Sequence, residues 1–281
     1  MIQMEKSLAL HSDELKKLQM VLLDMLSEVD RICRKHDINY TMIGGTLLGA
    51  IRYKGFIPWD DDVDVSMMRS EYEKFKNVCS TDLDHDRFFL QDNTTDPEYR
   101  WGYARLRRKD SEFIRVGQEH MKMKTGIFLD IYPGDKVPDF YPLRVMHALC
   151  CFALRKTLYA QTGAVTGKNA LIRLVYRTLN LIPATFVFRR IETLIRCYSG
   201  RQTKFIRALT FPTPKGGKCG FPARWFEETD DMEFEGRMFK AICAYDEYLI
   251  YKYGDYMSLP PENKRHWHPA AVLKLPSEYS S

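Results

Sequence analysis

The chain has 281 residues, 45% hydrophobic and 28% charged, with 16 Gly and 13 Pro. That composition supports a buried core and excludes disordered and fibrous classes. Net charge is only +5, yet Phe140 to Phe226 holds fifteen Lys and Arg against one acid, Glu192, so the rest is acidic. A basic segment beside an acidic one points to an anionic partner.

The opening residues Met1 to Lys6 lack the positive-then-apolar layout of a secretory signal. No stretch approaches the ~20 uninterrupted apolar residues of a membrane span. The nearest, Leu171 to Phe188, is broken by Arg173, Arg177, Asn180 and Pro183. The seven Cys are odd in number and show neither a Cys-x-x-Cys pair nor zinc-ligand spacing. Reduced thiols in the cytoplasm are the simplest expectation.

In chain order, Leu15, Leu18, Leu22, Met25, Val29 and Ile32 recur at helical steps and predict a long amphipathic helix. Ser12 is its expected N-cap, with Asp13 and Glu14 at the positive end of the dipole. Asn39 to Ile43 reads as a short strand ending at Gly44-Gly45, and Thr46 to Arg52 as a short helix stopped near Gly55 and Pro58. Asp62 to Met67 alternates, sending Asp62, Asp64 and Ser66 to one face and Val63, Val65 and Met67 to the other. Ser70-Glu71-Tyr72-Glu73 has the pattern of a capping box opening the next helix. Further strands are expected at Phe88–Leu90, Tyr103–Leu106 and Ile127–Tyr132. From Leu143 to Leu209 the pattern turns helical and basic, and a helix over Tyr245 to Tyr253 closes the chain before Gly254. This order predicts an α+β (mixed α/β) fold with a helical second part.

Chemistry concentrates in Trp59-Asp60-Asp61-Asp62-Val63-Asp64. Clustered carboxylates repel and call for a cation or a basic partner. On a strand, Asp62 and Asp64 project side by side and could bridge divalent ions to a phosphate. Asp60 shares their parity and is expected to join them; Asp61 has the opposite parity and is the least expected ligand. Asp130 is a lone acid in an apolar strand. Either it pairs with an Arg, such as Arg105 or Arg107, or it is a third metal ligand; a second carboxylate strand favours the metal. Gly44, Gly45 and Thr46 lie between a strand and a helix, where backbone N–H groups can approach a phosphate. Arg52 and Lys54 follow and could hold phosphate oxygens.

A Gly-rich turn, a helix, a two-carboxylate strand and a third carboxylate on a later strand resemble the layout of the nucleotidyltransferase superfamily. The run Ile43 to Asp64, reading IGGTLLGAIRYKGFIPWDDDVD, is similar to the signature of the LicD family, bacterial phosphocholine transferases related to fukutin and fukutin-related protein. The likeness recurs at Gly126 to Pro133 and in Trp225-Phe226-Glu227, Phe234-Glu235-Gly236, Tyr245 to Leu249 and Tyr253 to Pro261. It spans roughly Leu15 to His268. One departure is Lys240 to Ala244, where the family tends to carry a proline-containing turn.

The resemblance implies one domain over residues 12–268: a nucleotidyltransferase-like sheet with helices (about 37–135), a basic helical subdomain (about 142–210) and a closing segment (221–268). It implies transfer of a phosphorylated alcohol such as phosphocholine from a CDP-linked donor such as CDP-choline. The acceptor would be a sugar hydroxyl of a cell-surface glycan (lipopolysaccharide or teichoic acid) or its lipid-linked precursor. Asp62 and Asp64, with Asp130 and Asp60, would hold Mg²⁺ or Mn²⁺; Gly44, Gly45, Thr46, Arg52 and Lys54 would position phosphate; Asp130 is the expected acceptor of the hydroxyl proton. No nucleic-acid partner is expected, and the expected location is cytoplasmic; the basic part is expected either to pack its apolar helical faces inward with its Lys and Arg in water, or to rest those faces on the inner face of an anionic membrane. The competing readings are a true nucleotidyltransferase acting on an alcohol or RNA end, and a basic nucleic-acid-binding protein.

Overall fold

A computed structural model describes residues 12–212, 218–265 and 268–279. In chain order the elements are α1 (Ser12–Lys35), β1 (Thr41–Met42), α2 (Gly44–Tyr53), β2 (Asp64–Met68), α3 (Arg69–Asp82), β3 (Phe88–Gln91), β4 (Ala104–Arg108), β5 (Glu112–Arg115) and β6 (Phe128–Val137). There follow α4 (Tyr141–Leu158), α5 (Ala160–Thr166), α6 (Ala170–Leu179), α7 (Ala184–Ser199), β7 (Phe205–Arg207), β8 (Phe221–Pro222), β9 (Thr229–Phe234), β10 (Arg237–Ile242), α8 (Tyr245–Tyr253) and β11 (Ala270–Lys274). The fold is mixed α/β, as the element order predicted.

The main sheet runs β3-β4-β6-β2-β1-β10-β9, with β7 on the lower part of β6 and β8 on β7. β2 pairs with β6, and β1 with β10, in parallel; the other ladders are antiparallel. Alternation then decides which side chains meet. Val65 and Met67 of β2 and Leu129 and Ile131 of β6 are fully buried in the core, where Leu18, Leu22, Met25 and Val29 of α1 also lie. Each such side chain contributes roughly 1.5–3 kcal/mol by leaving water. The even positions, Asp64 and Ser66 with Asp130 and Tyr132, take the opposite face. The predicted face of α1 is the buried one.

Two local expectations are corrected. Ser70 does not cap α3: the helix begins at Arg69, Met68 precedes it, and no side chain caps it. Arg69 is drawn instead to buried Asp135 at 2.6 Å, and Glu71 accepts the Asn39 N–H at 3.2 Å. The strand expected from Asp62 starts its ladder at Asp64, so Asp60 to Val63 form the extended approach to β2.

Three pairings were not foreseen. β9 and β10 form a hairpin whose turn residues, Glu235 and Gly236, have φ of 49° and 71°, the left-handed pair a two-residue turn demands. Glu235 takes the Phe56 N–H at 2.9 Å and gives its own N–H to the Lys54 carbonyl at 2.7 Å, clipping the hairpin to the loop after α2. The Lys240 to Ala244 departure falls at the end of β10 and the turn into α8. β11 returns to pair with β5 in a separate two-stranded sheet.

The basic part is helical, as expected. Two small apolar clusters hold it, one around Val137, Cys151 and Leu209, the other around Leu158, Val187 and Ile191. α6 buries no residue at all.

Candidate active site

Asp64 opens β2, and its register neighbour on β6 is Asp130, whose own neighbour on β4 is Arg105. The ladder therefore lays two carboxylates and a guanidinium in a row on one face. Asp60 and Asp62, four and two residues before, approach along the extended lead-in. All four carboxylates line one cavity of about 360 Å³ with Gly45, Arg115, Lys252, Tyr253 and His268.

The N-terminus of α2 is built to admit them. Gly44 has φ +61°, and a Cβ there would lie 3.1 Å from Lys252 Nζ and 3.3 Å from Asp64 Oδ2. A Cβ on Gly45 would meet Asp60 Oδ2 at 2.6 Å, so only glycine leaves room for that carboxylate. The Gly44 N–H is given to the Tyr248 hydroxyl at 3.2 Å. The buried Thr46 hydroxyl accepts the Asp64 N–H at 2.9 Å, so its side chain fixes the start of β2.

Of the two readings of Asp130, the arginine pair is the one present. Arg105 Nε donates to Oδ1 at 2.6 Å, and the Tyr132 hydroxyl donates to Oδ2 at 3.1 Å. This ion pair lies on the Asp64 face, so Asp130 is neutralised on one side while still bordering the shared cavity. Arg107 turns elsewhere, to Gln91 Oε1 and the Gly126 carbonyl.

Arg52 and Lys54 do not line the cavity. Arg52 donates to the Ser258 carbonyl at 2.7 Å, and Lys54 pairs with Glu233 at 2.9 Å. The cations that do face it are Arg115, 3.3 Å from Asp62, and Lys252 on the last turn of α8. Arg115 Nε is buried and has no partner among the described residues, leaving a donor for a ligand oxygen.

Asp61, the least expected ligand, does not line this cavity, and its side chain is fully buried. It accepts the His268 N–H at 3.2 Å and His268 Nδ1 at 2.8 Å. One oxygen each of Asp61 and Asp62 and a ring nitrogen of His268 lie within 4.8 Å of one another. His268, Arg115 and Lys252 were missed in the sequence because each arrives through a long-range pairing: the β5–β11 ladder carries the first two, and α8 the third.

The electrostatics are those of a crowded acid site. Burial pushes the Asp60 carboxyl up to about 8, reinforced by the charges of Asp62 and Asp61. Burial also raises Asp62, against the pull of Arg115 and His268. Asp64 is raised well above the carboxylate range by burial, then by Asp62 and Asp130, with Lys252 opposing. His268 is raised by its bond to Asp61. Asp60, Asp62 and Asp64 are hard oxygen donors converging at one cavity, each disfavoured as a bare anion, and fit a small divalent cation such as Mg²⁺ or Mn²⁺.

Comparison with known proteins identifies a family. Residues 37–148 match the family described as LicD/FKTN/FKRP, nucleotidyltransferase domain. The chain is 30% identical over 258 residues to the lipopolysaccharide cholinephosphotransferase LicD of Haemophilus influenzae, covering 90% of this chain and 95% of that protein. Shorter matches reach uncharacterized proteins of Rickettsia typhi, 33% identical over 22% of this chain and 20% of that protein, and of Rickettsia prowazekii, 38% over 18% and 19%. These matches make the chain a phosphotransferase. The chain belongs to the LicD family.

Proposed function

We propose that this protein moves a phosphocholine-like group from a CDP-linked donor to a sugar hydroxyl of a lipopolysaccharide-type glycan or its lipid-linked precursor. The observation that carries this is the convergence of Asp60, Asp62, Asp64 and Asp130 at the N-terminus of α2, in a chain similar to the Haemophilus enzyme along nearly its whole length.

Asp62 and Asp64, with Asp60 and Asp130, would hold Mg²⁺ or Mn²⁺. When bound, such an ion neutralises charge on the donor diphosphate and on the departing CMP. Arg115 and Lys252 bind phosphoryl oxygens, and the α2 N-terminus adds its dipole. The acceptor oxygen attacks the phosphorus of the transferred group, the bond to the CMP oxygen breaks, and CMP leaves with the electron pair. The hydroxyl proton passes to a carboxylate. Asp130 is the less free acceptor, because Arg105 and Tyr132 already occupy its oxygens; Asp60 and Asp62 face the cavity without such partners on both oxygens.

A lipid-linked acceptor suits a second feature. Phe140, Met146 and Leu149 of the α4 region, Leu171 and Leu174 of α6, and Leu181 at the α6–α7 corner are all exposed, Leu181 by 80%. The surrounding charge is almost wholly basic, which complements an anionic leaflet. Among the described residues no single helix is long and apolar enough to cross a membrane; α6 and α7 meet the length and composition only as a pair bent by 78°.

The test is incubation with a panel of CDP-alcohols and Mg²⁺ while CMP is followed. CMP release from CDP-choline that stops on chelation is expected. Pyrophosphate release from CTP, without CMP from any CDP-alcohol, would establish nucleotidyl transfer instead.

A further inference from the structure

Next to the carboxylate cavity lies a smaller one of about 250 Å³, lined by four arginines, Arg100, Arg105, Arg115 and Arg155, and, among the described residues, by no acid. The two cavities share Tyr103, Arg115 and Phe211, so they are lobes of one cleft with Arg115 on the border. The four arginines come from separate segments. Arg105 stands on β4, Arg115 on β5 and Arg100 in the loop before β4, while Arg155 comes from the last turn of α4 in the basic helical part.

Two of the four are answered by carboxylates of the neighbouring cavity: Arg105 by Asp130 at 2.6 Å and Arg115 by Asp62 at 3.3 Å. Arg115 still keeps a buried Nε without a partner among the described residues. Arg100 donates to a neutral oxygen, Asn180 Oδ1, at 3.1 Å, and Arg155 lies 5.5 Å from the centre of the Phe152 ring; neither forms an ion pair among the described residues. Burial lowers Arg100 from the usual arginine value, against the charge of Glu98. Burial lowers Arg155 as well, with Arg207 pressing the same way and Tyr176 opposing. Arg207 is itself buried, with Nε and Nη2 unpartnered among the described residues, so unanswered positive charge continues beside Arg155. Guanidiniums gathered in this way repel one another unless an anion joins them.

The donor does not account for the lobe. Its two phosphates belong at the carboxylate cavity with Arg115 and Lys252, and Arg100 and Arg155 do not line that cavity. The lobe borders instead on the helices that carry the exposed apolar face. Leu158 and Tyr159 wall it, and Asn180, which holds Arg100, directly precedes the exposed Leu181. The rings of Trp101, Tyr103, Tyr159 and Phe211 give it flat apolar walls between the charges.

We infer that the arginine lobe receives an acidic group of the acceptor, a phosphate or a carboxylate carried on or beside the accepting sugar. This rests on the phosphocholine-transfer reading and narrows its acceptor to an acidic glycan. Arg100 and Arg155 hold the anion by charge-assisted hydrogen bonds, and the sugar runs along the rings toward Arg115, which presents its hydroxyl to the donor phosphorus in the carboxylate cavity.

Calorimetry on the full-length protein saturated with CMP and Mg²⁺ tests the lobe, with glucose 6-phosphate as the probe and glucose as its neutral counterpart. Glucose 6-phosphate should bind with CMP still in place, at least about tenfold more tightly than glucose. Arg100→Gln and Arg155→Gln should each weaken that binding about tenfold and leave CMP affinity unchanged. Displacement of CMP by the probe would give the lobe to the donor and overturn the assignment. Equal affinity for the two sugars, or equal affinity in both variants, would overturn the anion site. Transfer is read separately, with deacylated lipopolysaccharide as the acceptor. Arg155→Gln should raise its KM about tenfold, and stripping the glycan of phosphate, or esterifying its carboxyl groups, should erase the difference from the unaltered protein; whichever treatment does so names the group. A KM that neither treatment nor the variant changes would overturn the acceptor assignment. Absence of CMP release from every CDP-alcohol would overturn the transfer reading, while the calorimetry still shows whether the lobe holds an anion.

Discussion

Asp64 stands where three constraints meet: the Thr46 hydroxyl on its N–H, Gly44 of α2 beside its carboxylate, and Lys252 across the cleft. Its charge has no role in the packing of β2, whose core side is carried by Val65 and Met67. Asp62→Asn and Asp64→Asn should therefore fold, melt at the same or a higher temperature because crowding is relieved, and lose CMP release by on the order of 10³-fold. Full turnover in either, at unchanged Mg²⁺, would disprove the assignment. Asp61→Asn acts differently, since it leaves the cavity acids in place and weakens the hold on His268; its loss should be smaller. Gly45→Ala puts a methyl 2.6 Å from Asp60 Oδ2 and must displace that carboxylate. A fall in kcat of about ten- to a hundredfold with an unchanged circular dichroism spectrum is expected, and wild-type kcat would show that Asp60 takes no part.

At the scale of elements, the α4–α7 contact holds a titratable group far from the chemistry. His147 on α4 is buried, stands edge-to-face with Tyr198 of α7 at 5.6 Å, and leaves Nε2 unpartnered among the described residues. Burial, with the charge of Arg207, lowers it to about 4. A histidine kept neutral in the fold but protonated in the unfolded chain near 6.5 stabilises the protein above that pH. The contribution is lost as pH falls from 6.5 toward 4, and amounts to at most about 3 kcal/mol. The melting temperature should decline over that window, and His147→Phe should flatten the decline. An identical slope in the variant would assign the acid sensitivity elsewhere.

For the whole molecule, the exposed apolar face of the basic helices sets the expected behaviour toward lipid. Arg189 and Arg190 are exposed on α7, and Arg196 follows one face on, paired with Glu192. Co-sedimentation with vesicles containing anionic phosphatidylglycerol should be strong at low salt and fall as salt rises. Replacing Arg189, Arg190 and Arg196 by Gln together should weaken it while sparing activity on a soluble acceptor. Equal recovery with neutral and anionic vesicles would refute charge-guided docking.

The sequence by itself determined what depends on neighbours in the chain. The period of α1, the alternation through Val63, Asp64 and Val65, the glycine turn and the limits of α8 are set by side chains within a few residues, and all are visible there. Asp60, Asp62 and Asp64 share a face for the same reason. Tertiary structure alone decided what depends on pairing between distant segments. Which guanidinium meets Asp130 follows from the β4–β6 register, and Arg115, His268 and Lys252 enter the cleft only because β11 returns to β5 and α8 packs beside α2. The capping-box pattern at Ser70 failed on the same ground: burial of Asp135 next to Arg69 outweighed a local hydroxyl cap. Arg52 and Lys54 sit where a phosphate clamp would be sought in the chain, yet Ser258 and Glu233, some two hundred residues away, hold them elsewhere. Local chemistry fixes what a segment prefers, while a long-range contact, whose free energy is spread over many groups, fixes which of its polar atoms remain for a ligand.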